Sequence, residues 1–172
     1  RVACEVCAST DLVLVMGEIS TTARIDVEQI VRKTVCEIGY DRPELGFDGN
    51  PCRVQVELKE QSSDIALGVD QAREAKAGSR EAEAALGAGD QGMMFGYACK
   101  ETPQFMPLPV VLAHRLTSLL TLARMTDTIH GIGPDGKAQV TVEYAVNEPE
   151  HEDAPLRVST VVLSVQHAAN KN

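Results

Sequence analysis

Two β-branched-rich apolar runs, Val2–Ala8 and Leu12–Ile19, open the chain with only Ser9-Thr10-Asp11 between them. Runs of that length and composition are strand-like, and so short a polar break predicts a hairpin or a tight strand connection. The period then changes. Val27, Ile30, Val31, Val35 and Ile38 recur at three- and four-residue intervals, which predicts a helix. Asp26 stands at its N-cap, Glu28 and Gln29 fill its first turn, and Gly39 ends it. Residues 41–50 hold Pro, two Gly, two Asp and Asn and are expected to be loop. Cys52–Leu58 alternates apolar and polar side chains, the mark of a half-buried strand.

Residues 71–86 are rich in Ala, Glu, Lys and Arg and nearly free of large apolar groups, so they read as a solvated helix or an inserted excursion broken at Gly78-Ser79. Gly87–Gly92 is expected to be a turn, with Met93–Ala98 anchoring it as a strand. A helix follows Pro107 and Pro109, with Val111, Leu112, Leu116, Leu119, Leu120 and Ala123 as its buried face. Gln139–Ala145 and Arg157–Val165 read as strands around an acidic turn, Asn147–Pro155. Strands and helices in this order predict an α+β fold with sheets covered on one face by helices.

Composition narrows the function classes. Apolar residues are 44% and charged residues 24% of the chain, the balance of a globular protein. The longest apolar run, Leu12–Met16, is far short of the roughly 20 residues of a membrane span, so no membrane role is expected. Aromatics at 3% and a net charge of -9 argue against nucleic-acid binding, which needs stacking platforms and clustered cations. The chain starts at Arg1 inside an apolar run, without a recognisable leader, and is expected to be part of something longer. Five cysteines at irregular spacings fit a reducing, cytoplasmic setting better than a disulfide framework.

The densest unusual segment is Gly87-Ala-Gly-Asp-Gln-Gly92, whose glycines let a backbone approach a ligand closely while Asp90 and Gln91 offer a carboxylate and an amide. Such a loop is either structural or ligand-binding, but without a Gly-Lys-Ser/Thr ending it is no Walker loop. Gly133-Pro134-Asp135-Gly136-Lys137 reads as a proline-initiated turn at a loop-to-strand boundary, or as a rigid turn delivering a lysine to phosphate. Glu5 and Glu18 fall inside predicted strands, where a carboxylate either faces solvent or finds a compensating partner. Cys4-x-x-Cys7 lacks a second ligand pair at finger spacing. His114, His130, His151 and His167 are scattered without metal-ligand spacing.

The dodecapeptide Gly87-Ala-Gly-Asp-Gln-Gly-Met-Met-Phe-Gly-Tyr-Ala98 resembles the signature of the S-adenosylmethionine synthase (methionine adenosyltransferase) family. Arg1-Val-Ala-Cys-Glu5, Gly17-Glu-Ile19, Glu37-Ile-Gly-Tyr40, Gln61-Ser-Ser-Asp-Ile65, Leu112-Ala-His-Arg-Leu116, Pro134-Asp-Gly-Lys137 and Ser164-Val-Gln-His167 follow in family order. The resemblance implies a transferase that joins ATP to L-methionine by attack of sulfur on ribose C5′, then hydrolyses the triphosphate. It implies Mg2+ and K+ as cofactors and a homodimer or homotetramer with the active site between subunits.

By position, Glu5 resembles a potassium-site glutamate, and Glu18 the glutamate that holds the methionine ammonium. Gln61 resembles a methionine-binding glutamine that opens a mobile loop, here Gln61 to Gln71. Asp135, Gly136 and Lys137 resemble an ATP-binding element, with Lys137 facing phosphates, and Asp90 an aspartate near the substrates. Lys137 and Asp90 are the expected catalytic residues. The resemblance also implies portions of three intertwined domains: 1–64 of the middle one, 65–100 of the C-terminal one and 101–172 of the N-terminal one.

The family's Ser-Glu-Gly-His-Pro-Asp-Lys opening, with its magnesium aspartate, and its C-terminal basic residues are not in this chain. No magnesium ligand is therefore expected here, and the isolated chain is expected to be inactive. Gly133 stands where the family usually carries arginine, and Ser63 where it commonly carries proline. A non-catalytic homologue that assembles with a complete subunit is the alternative expectation.

Overall fold

A computed structural model describes residues 1–78, 87–145 and 154–169. It divides into two compact units, one of residues 1–37 with 46–94, the other of residues 38–45 with 95–172. Residues 79–86 of the expected insertion and 147–153 of the expected acidic turn lie outside the described residues.

In the first unit, β1 (Val2–Ser9) and β2 (Leu12–Ile19) form the expected antiparallel hairpin, Val2 opposite Ile19 and Ser9 opposite Leu12. Asp11 takes the turn at φ 57°. Helix α1 (Val27–Ile38) starts where Asp26 predicts, its Oδ1 accepting the Gln29 N–H at 3.0 Å, and Gly39 follows its end at φ 115°. The chain then runs through β3 (Asp41–Arg42), whose residues belong to the second unit, and β4 (Phe47–Asp48), after which β5 (Arg53–Lys59) pairs parallel to β2. The sheet order is therefore β1-β2-β5, with α1 as the crossover that a parallel pair requires.

Alternation along β2 sets the two faces of this sheet. Val13 and Val15 are buried with Cys52, and Val27, Val31, Val35, Phe47, Val54 and Leu58 pack on them. Met16 and Glu18 have the opposite parity and are exposed. Arg32 fastens the crossover: its Nη1 donates to the carbonyls of Gly49 (3.0 Å), Asn50 (2.6 Å) and Cys52 (3.0 Å). Its Nη2 meets Glu28 Oε1 at 2.6 Å, a contact that raises the already high Arg32 pKa. Cys4 and Cys7, three positions apart on β1, point to opposite faces and cannot close on one metal ion.

Beyond β5, the segment expected to be a mobile loop holds a helix, α2 (Ser63–Val69), and the start of the expected insertion holds α3 (Arg73–Lys76). Of the expected portion 65–100, residues 65–78 and 87–94 fall in the first unit and 95–100 in the second. Within the first unit, the Arg1 guanidinium binds Asp70 and Gly87 directly.

In the second unit, α4 (Leu108–Met125) packs along β6 (Ile132–Ala145), which pairs antiparallel with β7 (Ala154–His167). Both strands are longer than their sequence patterns predict. Pro134-Asp-Gly-Lys137 is not a free turn but part of β6, accommodated by a register shift between Ile132 and Gly136. The apolar stripe of α4 is only half-buried, and Leu119 remains 51% exposed. Glu101 caps this helix by accepting the Leu108 N–H at 3.0 Å. Buried Thr102 closes the preceding turn by donating to the Met106 carbonyl at 2.7 Å.

Met93–Ala98 is not the expected strand. A strand needs a partner ladder, and no described strand pairs with these residues. Met94 and Phe95 are 90% and 86% exposed.

Candidate functional site

Three residues far apart in sequence converge in the first unit. Glu18 lies at the end of β2, Gln61 just beyond β5, and Asp90 in the glycine-rich loop; all three line one cleft of about 330 Å³. Each is placed by its element. Register sets Glu18 opposite Ala3 on the sheet face away from α1. The parallel pairing of β5 with β2, Lys59 opposite Glu18, brings Gln61 to the same end of the sheet.

The loop carrying Asp90 lies on the end of α2. Gly87 donates its N–H to the Asp70 carbonyl at 3.1 Å, and Gly89 donates to the Val69 carbonyl at 3.2 Å. The approach is so close that a Cβ on Gly87 would sit 2.0 Å from the Val69 carbonyl oxygen, so only glycine fits. Asp90 Oδ1 accepts the Gln91 N–H at 2.6 Å, which orients its carboxylate.

Among the described residues, neither Glu18 nor Asp90 has an ion-pair partner. Two uncompensated carboxylates beside an amide favour a ligand that brings positive charge and hydrogen-bond donors. Arg1 also lines the cleft, but its charge is taken up by Asp70 at 2.6 Å.

The remaining expected site residues are placed differently. Glu5 is exposed on the same sheet face as Glu18, opposite Met16. No cluster of three His, Cys, Asp or Glu able to hold a metal ion occurs among the described residues, so no second carboxylate, imidazole or thiol joins Glu5 in such a cluster there. Asp135, Gly136 and Lys137 belong to the second unit. Asp135 and Lys137 project from the exposed face of β6, where Lys137 Nζ lies 3.8 Å from Asp135 Oδ2. Gly136 faces the other way, toward Leu120.

Gly133 is buried, and a Cβ there would lie 2.4 Å from Gln166 Oε1. The Gln166 amide in turn donates to the Leu45 carbonyl at 2.7 Å. The glutamine side chain thus occupies the room that a longer residue at 133 would need. Sequence reasoning missed Arg1 and Asp70, which no local pattern marks. It also missed Glu101, which lies seven positions before the Leu108 N–H it accepts, outside the spacing of a local capping pattern.

Residues 1–63 match the sequence model for the S-adenosylmethionine synthetase N-terminal domain, and residues 85–172 that for the central domain. These descriptions, N-terminal and central, differ from the middle, C-terminal and N-terminal portions that the resemblance implies. The S-adenosylmethionine synthase of Clostridium botulinum (strain Alaska E43 / Type E3) is 53% identical over 167 residues, covering 97% of this chain and 41% of that protein. The S-adenosylmethionine synthase of Clostridium acetobutylicum is also 53% identical, with the same coverage of both chains. The chain spans about two fifths of the length of these relatives. No helix among the described residues is long and apolar enough to cross a membrane. With its two successive domain matches and 53% identity over nearly its whole length, the chain belongs to the S-adenosylmethionine synthetase family.

Proposed function

We propose that the protein of which this chain is part forms S-adenosylmethionine from ATP and L-methionine and then hydrolyses the triphosphate. The observation that carries this reading is the convergence of Glu18, Gln61 and Asp90 on one cleft. Their chemistry suits the amino-acid end of methionine. Glu18 supplies the counter-charge for the ammonium, the Gln61 amide hydrogen-bonds to the substrate, and Asp90 adds a second acceptor. The sulfur must then reach C5′ in line with the departing triphosphate, so the task is chiefly alignment and charge compensation. Lys137 is the cation in this chain assigned to the phosphates, with Asp135 and Gly136 beside it at ATP.

Mg2+ and K+ would neutralise the triphosphate and support the site. Glu5 would give K+ one oxygen, and the other donors, including every magnesium ligand, would come from outside the described residues. A homodimer or homotetramer with the site between subunits, in the cytoplasm, completes the reading. The isolated chain, with its net charge of -9, is expected to bind triphosphate poorly and to be inactive. The test is to incubate the full-length protein with ATP, L-methionine, Mg2+ and K+ and follow S-adenosylmethionine by chromatography. Formation of product that depends on both substrates supports the reading; ATP binding with no product supports the non-catalytic homologue instead.

A further inference from the structure

Nothing in the three ligand-facing side chains fixes the two segments on which Gln61 and Asp90 ride. Gln61 opens a segment that runs through α2 to Asp70, and Asp90 sits in the loop that starts at Gly87. Arg1 joins the two. Its Nε stands 2.6 Å from Asp70 Oδ1, while its Nη2 donates to the Asp70 carbonyl at 2.8 Å and to the Gly87 carbonyl at 3.2 Å. The Asp70 carbonyl also accepts the Gly87 N–H, so one oxygen is shared by both partners. Gly89, at φ 83°, comes so near that a Cβ there would lie 2.8 Å from Arg1 Nη1.

An ion pair with side chains 28% and 40% exposed contributes little by itself. The geometry is what distinguishes this one. A guanidinium is a rigid fork of five donors that keeps its charge at any working pH. Here it reaches a carboxylate and two carbonyls from two segments at once, a task that the single ammonium of lysine does not match.

We propose that Arg1 is a positioning residue for the methionine site. Held on Asp70, it latches the far end of the Gln61–Asp70 segment to the loop that carries Asp90. Gln61 and Asp90 are thereby presented to one ligand as a pair. Arg1 acts through these loops and not by touching the reacting atoms. The proposal rests on the methionine reading of the cleft.

The experiment uses the full-length protein with Arg1→Met, Arg1→Lys and Asp70→Ala, read by amide hydrogen exchange and by steady-state kinetics. In Arg1→Met, the Gly87 and Gly89 amides should exchange about tenfold faster while the β1-β2-β5 amides stay unchanged. The KM for methionine should rise about tenfold, with kcat and the KM for ATP within about threefold of wild type. Arg1→Lys should recover less than half of either effect. Asp70→Ala keeps every backbone acceptor, so it should show the same pattern at smaller size, and it decides the matter if Arg1→Met does not fold. Unchanged exchange at Gly87 and Gly89, faster exchange over the whole sheet, equal rises in both KM values or full rescue by lysine would each overturn the latch. If the wild-type protein makes no S-adenosylmethionine, the methionine reading fails, and the exchange measurement still decides whether Arg1 holds the two loops together.

Discussion

Tyr144 on β6 donates a 2.7 Å hydrogen bond to the carboxylate of Glu101, 43 positions earlier, and the same oxygen caps α4 by accepting the Leu108 N–H. The arrangement pushes the two pKa values apart. The Leu108 N–H and then the Tyr144 hydroxyl hold Glu101 below its ordinary value, while burial and then the Glu101 carboxylate push Tyr144 up to about 12. The depressed carboxylate stabilises the fold above its unfolded pKa, and that contribution is lost as pH falls through its folded value. The raised phenol stabilises the fold below its ordinary value near 10, and that contribution is lost as pH rises toward about 12.

A spectrophotometric titration should therefore show a tyrosinate step near pH 12 that disappears in Tyr144→Phe. In Glu101→Gln the step should move down, because the negative acceptor is gone. A Tyr144 step that ignores the loss of the Glu101 charge would mean that burial alone holds the phenol. The Phe variant should also unfold more readily in mild acid to neutral solution, with the difference shrinking above pH 10.

The methionine assignment makes a prediction at Glu18. In the full-length protein, Glu18→Gln should weaken methionine binding by about ten- to hundredfold, the size of losing a hydrogen bond to a charged group at roughly 1.5–3 kcal/mol. ATP binding should change far less, because in that assignment Glu18 meets only the ammonium. Calorimetry with each substrate separately measures both, and equal losses would move Glu18 out of that role.

The sequence carried the first unit's framework because its determinants are local. Asp26 caps α1, the three- and four-residue spacing of Val27, Val31 and Val35 sets the helix face, and alternation along β2 buries Val13 and Val15. The convergence of Glu18, Gln61 and Asp90 is a long-range event, and only the family resemblance brought these residues together before the structure did. Met93–Ala98 was misread because apolar composition marks a segment that needs covering without naming its cover. Pro134–Lys137 was misread because its turn residues sit inside a long ribbon that absorbs them as a register shift. Arg1 was invisible for the same reason as the cleft: its partners, Asp70 and Gly87, are separated from it by 69 and 86 positions.

Gly133 offers a test of how the second unit has adjusted to its missing side chain. Gly133→Arg must displace Gln166, whose amide then loses the Leu45 carbonyl. The expected cost is about 1–3 kcal/mol, from overpacking this tight position together with the lost hydrogen bond. Gln166→Ala should cost about 1 kcal/mol, the net worth of one such hydrogen bond, and the double variant should cost clearly less than the sum, since both changes break the same contact. Thermal melts of the four proteins give the cycle, and strict additivity would show that the two positions do not compete for one space.

Lys137 separates a phosphate-binding role from an ordinary surface lysine. In this chain its side chain is 79% exposed and only loosely paired with Asp135 at 3.8 Å, so its charge is available to an incoming ligand and little of the fold depends on it. If the ammonium meets the triphosphate, its attraction strengthens as negative charge gathers on the departing oxygen. That interaction belongs to the transition state and appears in kcat more than in ground-state affinity. Lys137→Met keeps most of the aliphatic stem and removes the charge. In the full-length protein, kcat should fall by roughly two to three powers of ten, the loss typical of a positioned electrostatic donor. The melting temperature should hardly move, because an exposed substitution of this kind stays within about 0.5 kcal/mol. Near-normal turnover would return Lys137 to the surface and leave the phosphates to residues outside this chain.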